Sequence, residues 1–142
     1  MNFVCDAPGG KTWFRIETEA EALAESRLMD HAVEKHFRQF REAAEASYAP
    51  PASLPYIERD IGLKDHIRRA MPVFLTLRDA SGAGLATAML PPEGGEPRGF
   101  RCVIVGPSNA DPFPAHAEAI EALAAHFKIA LDSARCYPYR RG

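Results

Sequence analysis

The side chains best equipped for chemistry crowd into one stretch, "YIERDIGLKDHIRRAM", running from Tyr56 to Met71. Within fourteen positions Tyr56, Glu58, Arg59, Asp60, Asp65, His66, Arg68 and Arg69 supply a phenol, carboxylates, an imidazole and guanidiniums. The adjacent Arg68 and Arg69 offer planar donors of the kind that hold carboxylate or phosphate oxygens. Asp65 and His66 are sequence neighbours, so on a helix they diverge by about 100° and their spacing makes no acid–base pair. The plain expectation is the solvated face of a short helix. The sharper one is a small anion or partner site built from Tyr56, Asp65, His66, Arg68 and Arg69.

A second stretch, "VGPSNADPFP" from Val105 to Pro114, has the outline of a phosphate loop: an apolar run, a glycine, a polar turn and a helix start. Anion binding there needs free backbone amides at the positive end of the helix dipole. Pro107, Pro112 and Pro114 have no N–H, and Asp111 as N-cap sets a carboxylate where the anion belongs. The further glycines and the lysine of a P-loop are also missing. The stretch therefore reads as a helix-starting turn.

His31 and His36 lie five apart and point about 140° away from each other on a helix, whereas metal-binding pairs usually sit four apart. His36 falls on the apolar stripe and is expected to be half-buried, with His31 opposite. Cys5, Cys102 and Cys136 are odd in number and widely spaced, which indicates neither a zinc ribbon nor a C-x-x-C redox site. Cys102 alternates with Phe100 and Ile104 as a core thiol, and Asp6 disfavours the thiolate of Cys5. Cys136 is left as the thiol most open to reaction. No nucleophile-elbow, zinc-protease, EF-hand or dinucleotide motif occurs, so no catalytic residue, metal or cofactor is assigned. The end of the chain, Tyr137-Pro-Tyr-Arg-Arg-Gly142, joins aromatics to cations in a way that suits only weak nucleic-acid binding.

The elements that must position these residues follow from periodicity. Asn2–Ala7 and Lys11–Glu17 make a hairpin across Pro8-Gly9-Gly10, with the face taken by Trp13 left open. Thr18-Glu19-Ala20-Glu21 is a capping box. It opens a helical pattern to about Tyr48, with Ala22, Met29, Val33, Phe37, Phe40 and Ala44 on one stripe. Thirty residues span about 45 Å, long enough to predict a kink or a projecting end. The prolines of 49–55 stop it, and Leu63–Ala70 is a short helix ended by Pro72. Pro72–Asp79 and Ala83–Leu90 form a second hairpin, 91–99 an exposed loop, Phe100–Val105 a strand and Pro114–Leu131 a helix.

The order ββ-α-α-βββ-α predicts an α+β fold. It is a mostly antiparallel five-stranded sheet with helices against one face, in a single domain over 1–134 with a tail at 135–142. Profilin-like, longin and PAS-type layouts are related only at the level of fold, and no function comes with them. The 142 residues suit one domain, and a net charge of -2 gives no general attraction to nucleic acid or anionic membrane. No signal segment is expected at the N-terminus, and no apolar run approaches the ~18–20 residues that cross a bilayer. The cysteine pattern fits a reducing cytoplasm. The Arg and Ala bias suggests a GC-rich bacterial genome.

These features predict a small intracellular protein- or ligand-binding domain without catalytic machinery, paired as a homodimer through its long amphipathic helix. The alternative is a small enzyme or metabolite sensor with an anion-binding cleft near residues 56–69. Weak nucleic-acid binding is the third reading.

Overall fold

The computed structural model describes residues 1–137. Alternating apolar runs broken by turn residues make five antiparallel strands in one sheet, in the order they occur in the chain. Strands β1 (Asn2–Ala7) and β2 (Lys11–Arg15) meet across Gly9 and Gly10, at φ 82° and 73°. Only glycine holds that left-handed pair without strain. The β1–β2 register slips between Phe3 and Cys5, so this edge strand carries a bulge. Strands β3 (Val73–Arg78) and β4 (Gly84–Leu90) are joined by a turn that Asp79 organises. Its carboxylate accepts from the Ser81 and Ala83 amides, each at 2.9 Å. Strand β5 (Cys102–Val105) completes the antiparallel set.

The capping box forms as expected and starts α1 (Glu19–Met29), with Thr18 Oγ1 accepting from the Glu21 amide at 3.1 Å. The expected helix to Tyr48 is broken in two. Asp30 turns left-handed at φ 55°, ψ 54°, and α2 (Val33–Ala46) begins three residues later. Aspartate tolerates that conformation better than most residues, and the Asp30 amide still finds the Ser26 carbonyl. The apolar stripe gives no warning, because Met29 and Val33 keep helical spacing across the break. Helix α3 (Tyr56–Ala70) starts seven residues before the expected Leu63, directly after Pro55. Helix α4 runs Phe113–Phe127.

Helices cover both faces of the sheet, and the one-face expectation is corrected. Trp13, Leu75, Leu77 and Ile104 pack with Ile120 and Leu123 of α4. Ile16 and Phe74, from the other side, pack with Ala22, Val33, Phe37 and Ala44 of α1 and α2. Each fully buried aliphatic side chain contributes about 1.5–3 kcal/mol to these two cores. Trp13 belongs to the α4 side, where its indole N–H donates to the Ala119 carbonyl at 2.8 Å. β3 is buried along Val73–Leu77 without alternation because both its faces are covered.

After α4, Asp132 accepts from the Ala134 and Arg135 amides and turns the chain back to the sheet. Cys136–Tyr137 then pairs parallel to β5 as a two-residue strand, β6. The tail expected from Arg135 onward thus begins inside the sheet. Tyr139, Arg140 and Arg141, named above for nucleic-acid contact, lie outside the described residues. No described helix is long and apolar enough to cross a membrane.

Candidate functional site

On the face covered by α1 and α2, the sheet centre carries hydroxyls. Thr76 and Thr87 are register partners on β3 and β4, and both are buried. Burying such groups is costly unless each finds a partner. α1 provides it. Glu25 lies on the same helical stripe as Ala22 and Met29, which carries its carboxylate inward to full burial. Thr87 Oγ1 donates to Glu25 Oε2 at 2.6 Å, and Arg78 donates to Glu25 Oε1 at 2.9 Å. Arg78 Nε also donates to Thr76 Oγ1 at 3.0 Å. One carboxylate, one guanidinium and two hydroxyls thereby satisfy one another beneath the helix.

His31 extends the chain of contacts outward. Its Nε2 lies 2.7 Å from the Gly106 carbonyl and its Nδ1 lies 3.1 Å from Thr87 Oγ1. A carbonyl only accepts, so Nε2 carries the proton it donates. The Thr87 hydroxyl has one proton and two neighbours, Glu25 and His31. The histidine expectations are thus reversed: His31 is half-buried and bonded, and His36 is exposed. The break at Asp30 resets the helical phase that the spacing rule assumed.

This corner borders a cavity of about 620 Å³. Phe74, Met89, Val103 and Val105 floor it from the sheet, and Val33 walls it from α2. Its lining includes two non-glycine residues with positive φ, Asp30 at 55° and Asn109 at 60°, and Ser108, at φ 53°, hydrogen-bonds Asp30 at 3.0 Å. Residues held in such conformations cost energy and concentrate at functional sites. The arrangement suits binding. A cavity of this size takes a small molecule, the floor offers apolar contact, and the corner offers ordered polar groups.

The sequence-predicted residues divide. Asp65, His66 and Arg69 join Tyr48, Gly94 and Pro97 around a separate open cleft of about 490 Å³, so the short helix and the 91–99 loop do meet. The Gly94 amide donates to the Arg69 carbonyl at 3.0 Å and ties the two together. Arg68 turns away and pairs with Glu17 at 2.6 Å, beside Arg15 in a smaller recess. Tyr56 is 85% exposed and borders neither space. His66 Nε2 is 2.7 Å from Ser47 Oγ, a contact the spacing did not suggest. That hydroxyl also lies 2.9 Å from the Ala44 carbonyl. The nearby amides of Gly94 and Gly95 are spent on Arg69 and Pro92, so an oxyanion hole is not formed there.

The phosphate-loop outline resolves as a turn before a helix, but the N-cap is Pro112 and not the expected Asp111. The Gly106 amide donates to the Ala110 carbonyl at 2.7 Å, and Asp111 accepts the Phe113 amide at 3.0 Å. What the sequence hid is that the Gly106 carbonyl, rather than any amide, joins a site. Burial, then the Asp6 charge, push the Cys5 thiol up. Cys136, expected to be the thiol most open to reaction, is buried. No group of described His, Cys, Asp and Glu residues could hold a metal ion. No protein-family model, curated protein or solved structure matches the chain.

Proposed function

We propose that the protein is a non-catalytic ligand-binding domain that takes a small, largely apolar molecule into the cavity at the α1–α2 elbow. The observation that carries this reading is the cavity itself: an apolar floor with one ordered polar corner and a rim of left-handed residues. No Lys or Arg lines it, and Asp30 stands at its mouth, so a neutral ligand fits better than an anion. A panel of neutral apolar metabolites, screened by amide chemical shifts in the full chain, tests it. Binding should move Thr87, Met89 and Val103, and Val103→Trp should abolish the response while the fold persists. Shifts confined to Gly94, Gly95 and Arg69 would instead favour the anion-binding sensor or enzyme at residues 56–69.

The domain is further proposed to be cytoplasmic, on its odd and widely spaced cysteines, and to be a homodimer. Support for pairing comes from α3 more than from the long helical stripe, which is spent on the sheet. Ile57 and Ile61 are 73% and 63% exposed on the outer side of α3. Glu58 and Asp60 lie between them in the N-terminal half, while Lys64 and Arg68 occupy the C-terminal half. An antiparallel pairing of two α3 helices sets the acidic half of each against the basic half of the other.

A further inference from the structure

Cys102 and Cys136 lie 34 positions apart in sequence, yet they face each other directly in the parallel pairing of β5 and β6. Register partners in a sheet present their side chains on the same face, and both cysteines join the core beneath α4. Neighbouring strands run about 4.8 Å apart, inside the roughly 4.4–6.8 Å between Cα atoms that a disulfide spans. The Cβ atoms must then close to about 3.8 Å. β6 has two described residues and is an edge strand, so few ladder hydrogen bonds among those described oppose that movement.

One charged group stands beside the pair. Burial pushes the Cys102 thiol up, and the Arg135 guanidinium, which hydrogen-bonds the sulfur, opposes that effect. Arg135 is in turn ion-paired with Glu96. A cation is thus fixed beside one sulfur at the point where the chain enters β6. A bridge between direct strand neighbours is strained, and strained disulfides are the readily reduced, regulatory kind.

We propose that Cys102 and Cys136 form a reversible dithiol–disulfide pair that, when oxidised, fastens β6 to β5. The oxidant is a low-molecular-weight disulfide. One cysteine thiolate attacks it, forming a mixed disulfide and releasing one small thiolate. The second cysteine thiolate attacks the protein sulfur of that mixed disulfide and releases the other. The protein loses two electrons and two protons, and the small disulfide gains them as two thiols. β5 also floors the elbow cavity through Val103 and Val105, so the latch acts on a strand of the proposed binding site.

The full chain is equilibrated in glutathione buffers from fully reduced to fully oxidised. It is then quenched in acid, unfolded, alkylated with N-ethylmaleimide and weighed. The expected oxidised form takes one maleimide, on Cys5, and yields a peptide linking Cys102 to Cys136, against three maleimides when reduced. The Cys5→Ala variant should take none when oxidised. Three maleimides in fully oxidised glutathione, a persistent glutathione adduct on Cys102 or Cys136, or a bridge that includes Cys5 each overturns the proposal.

Discussion

His31 and Thr87 stand 56 positions apart in the chain and 3.1 Å apart in space, with Glu25 on the other side of the same hydroxyl. One threonine therefore joins a buried carboxylate to a histidine at the cavity edge. Thr87→Val keeps the shape of the side chain and removes both contacts. It leaves Glu25 Oε2 without its donor inside the core, which costs about 1–3 kcal/mol. Urea unfolding should show that loss, and ligand-induced shifts at His31 should shrink with it.

Arg78 and Glu25 are a pair whose members differ in exposure. The Arg78 side chain is 18% exposed and that of Glu25 is wholly buried. Removing the cation strands the carboxylate, so Arg78→Met should cost about 3–5 kcal/mol. The double variant Arg78→Met, Glu25→Leu should recover part of that loss in a double-mutant cycle. A double variant no more stable than Arg78→Met would mean that the carboxylate is not the stranded charge.

His116 gives the stability a slope with pH. Burial, and then the charge of Lys11, hold its pKa below the ordinary 6.5. Lys11 Nζ lies 2.9 Å from Nδ1, a contact in which the neutral ring accepts. The unfolded chain therefore binds this proton more readily. The stabilisation from His116 is complete above about pH 6.5 and is lost as pH falls toward the depressed folded value. His116→Gln should flatten the pH dependence of urea unfolding in that window, and an unchanged slope would falsify the assignment.

Ile57 and Ile61 face solvent, so Ile57→Lys and Ile61→Lys should alter monomer stability by no more than about 0.5 kcal/mol. Light scattering at micromolar concentration should show a dimer for the parent chain and a monomer for the double variant. A parent chain that is monomeric throughout the range removes the dimer.

Local chemistry made much of this fold legible. Thr18 and Glu21 announce the start of α1, and the glycines of the first turn and Asp79 of the second fix the hairpins. The length of the helical pattern predicted a kink, but its place at Asp30 was unmarked, because an aspartate in left-handed conformation leaves the apolar spacing intact. The second helical layer did leave a signal: the unalternated Val73–Leu77 run belongs to a strand buried on both faces. Of the reactive stretch, Asp65, His66 and Arg69 do meet the 91–99 loop, while Arg68 follows its helical phase toward Glu17. The elbow site was hidden for another reason. Glu25, Thr87 and His31 each look ordinary where they stand, and only the closing of α1 onto β4 makes them neighbours.

The slipped register between Phe3 and Cys5 has a bearing on how the molecule behaves in a crowd. A flat, regular edge strand is a template on which another chain can add itself, hydrogen bond by hydrogen bond. Here one edge is bent by a bulge, and the other shows only two paired residues among those described. Among the described residues, neither offers a straight row of donors and acceptors. Growth of the sheet from molecule to molecule is blunted at the bulged edge.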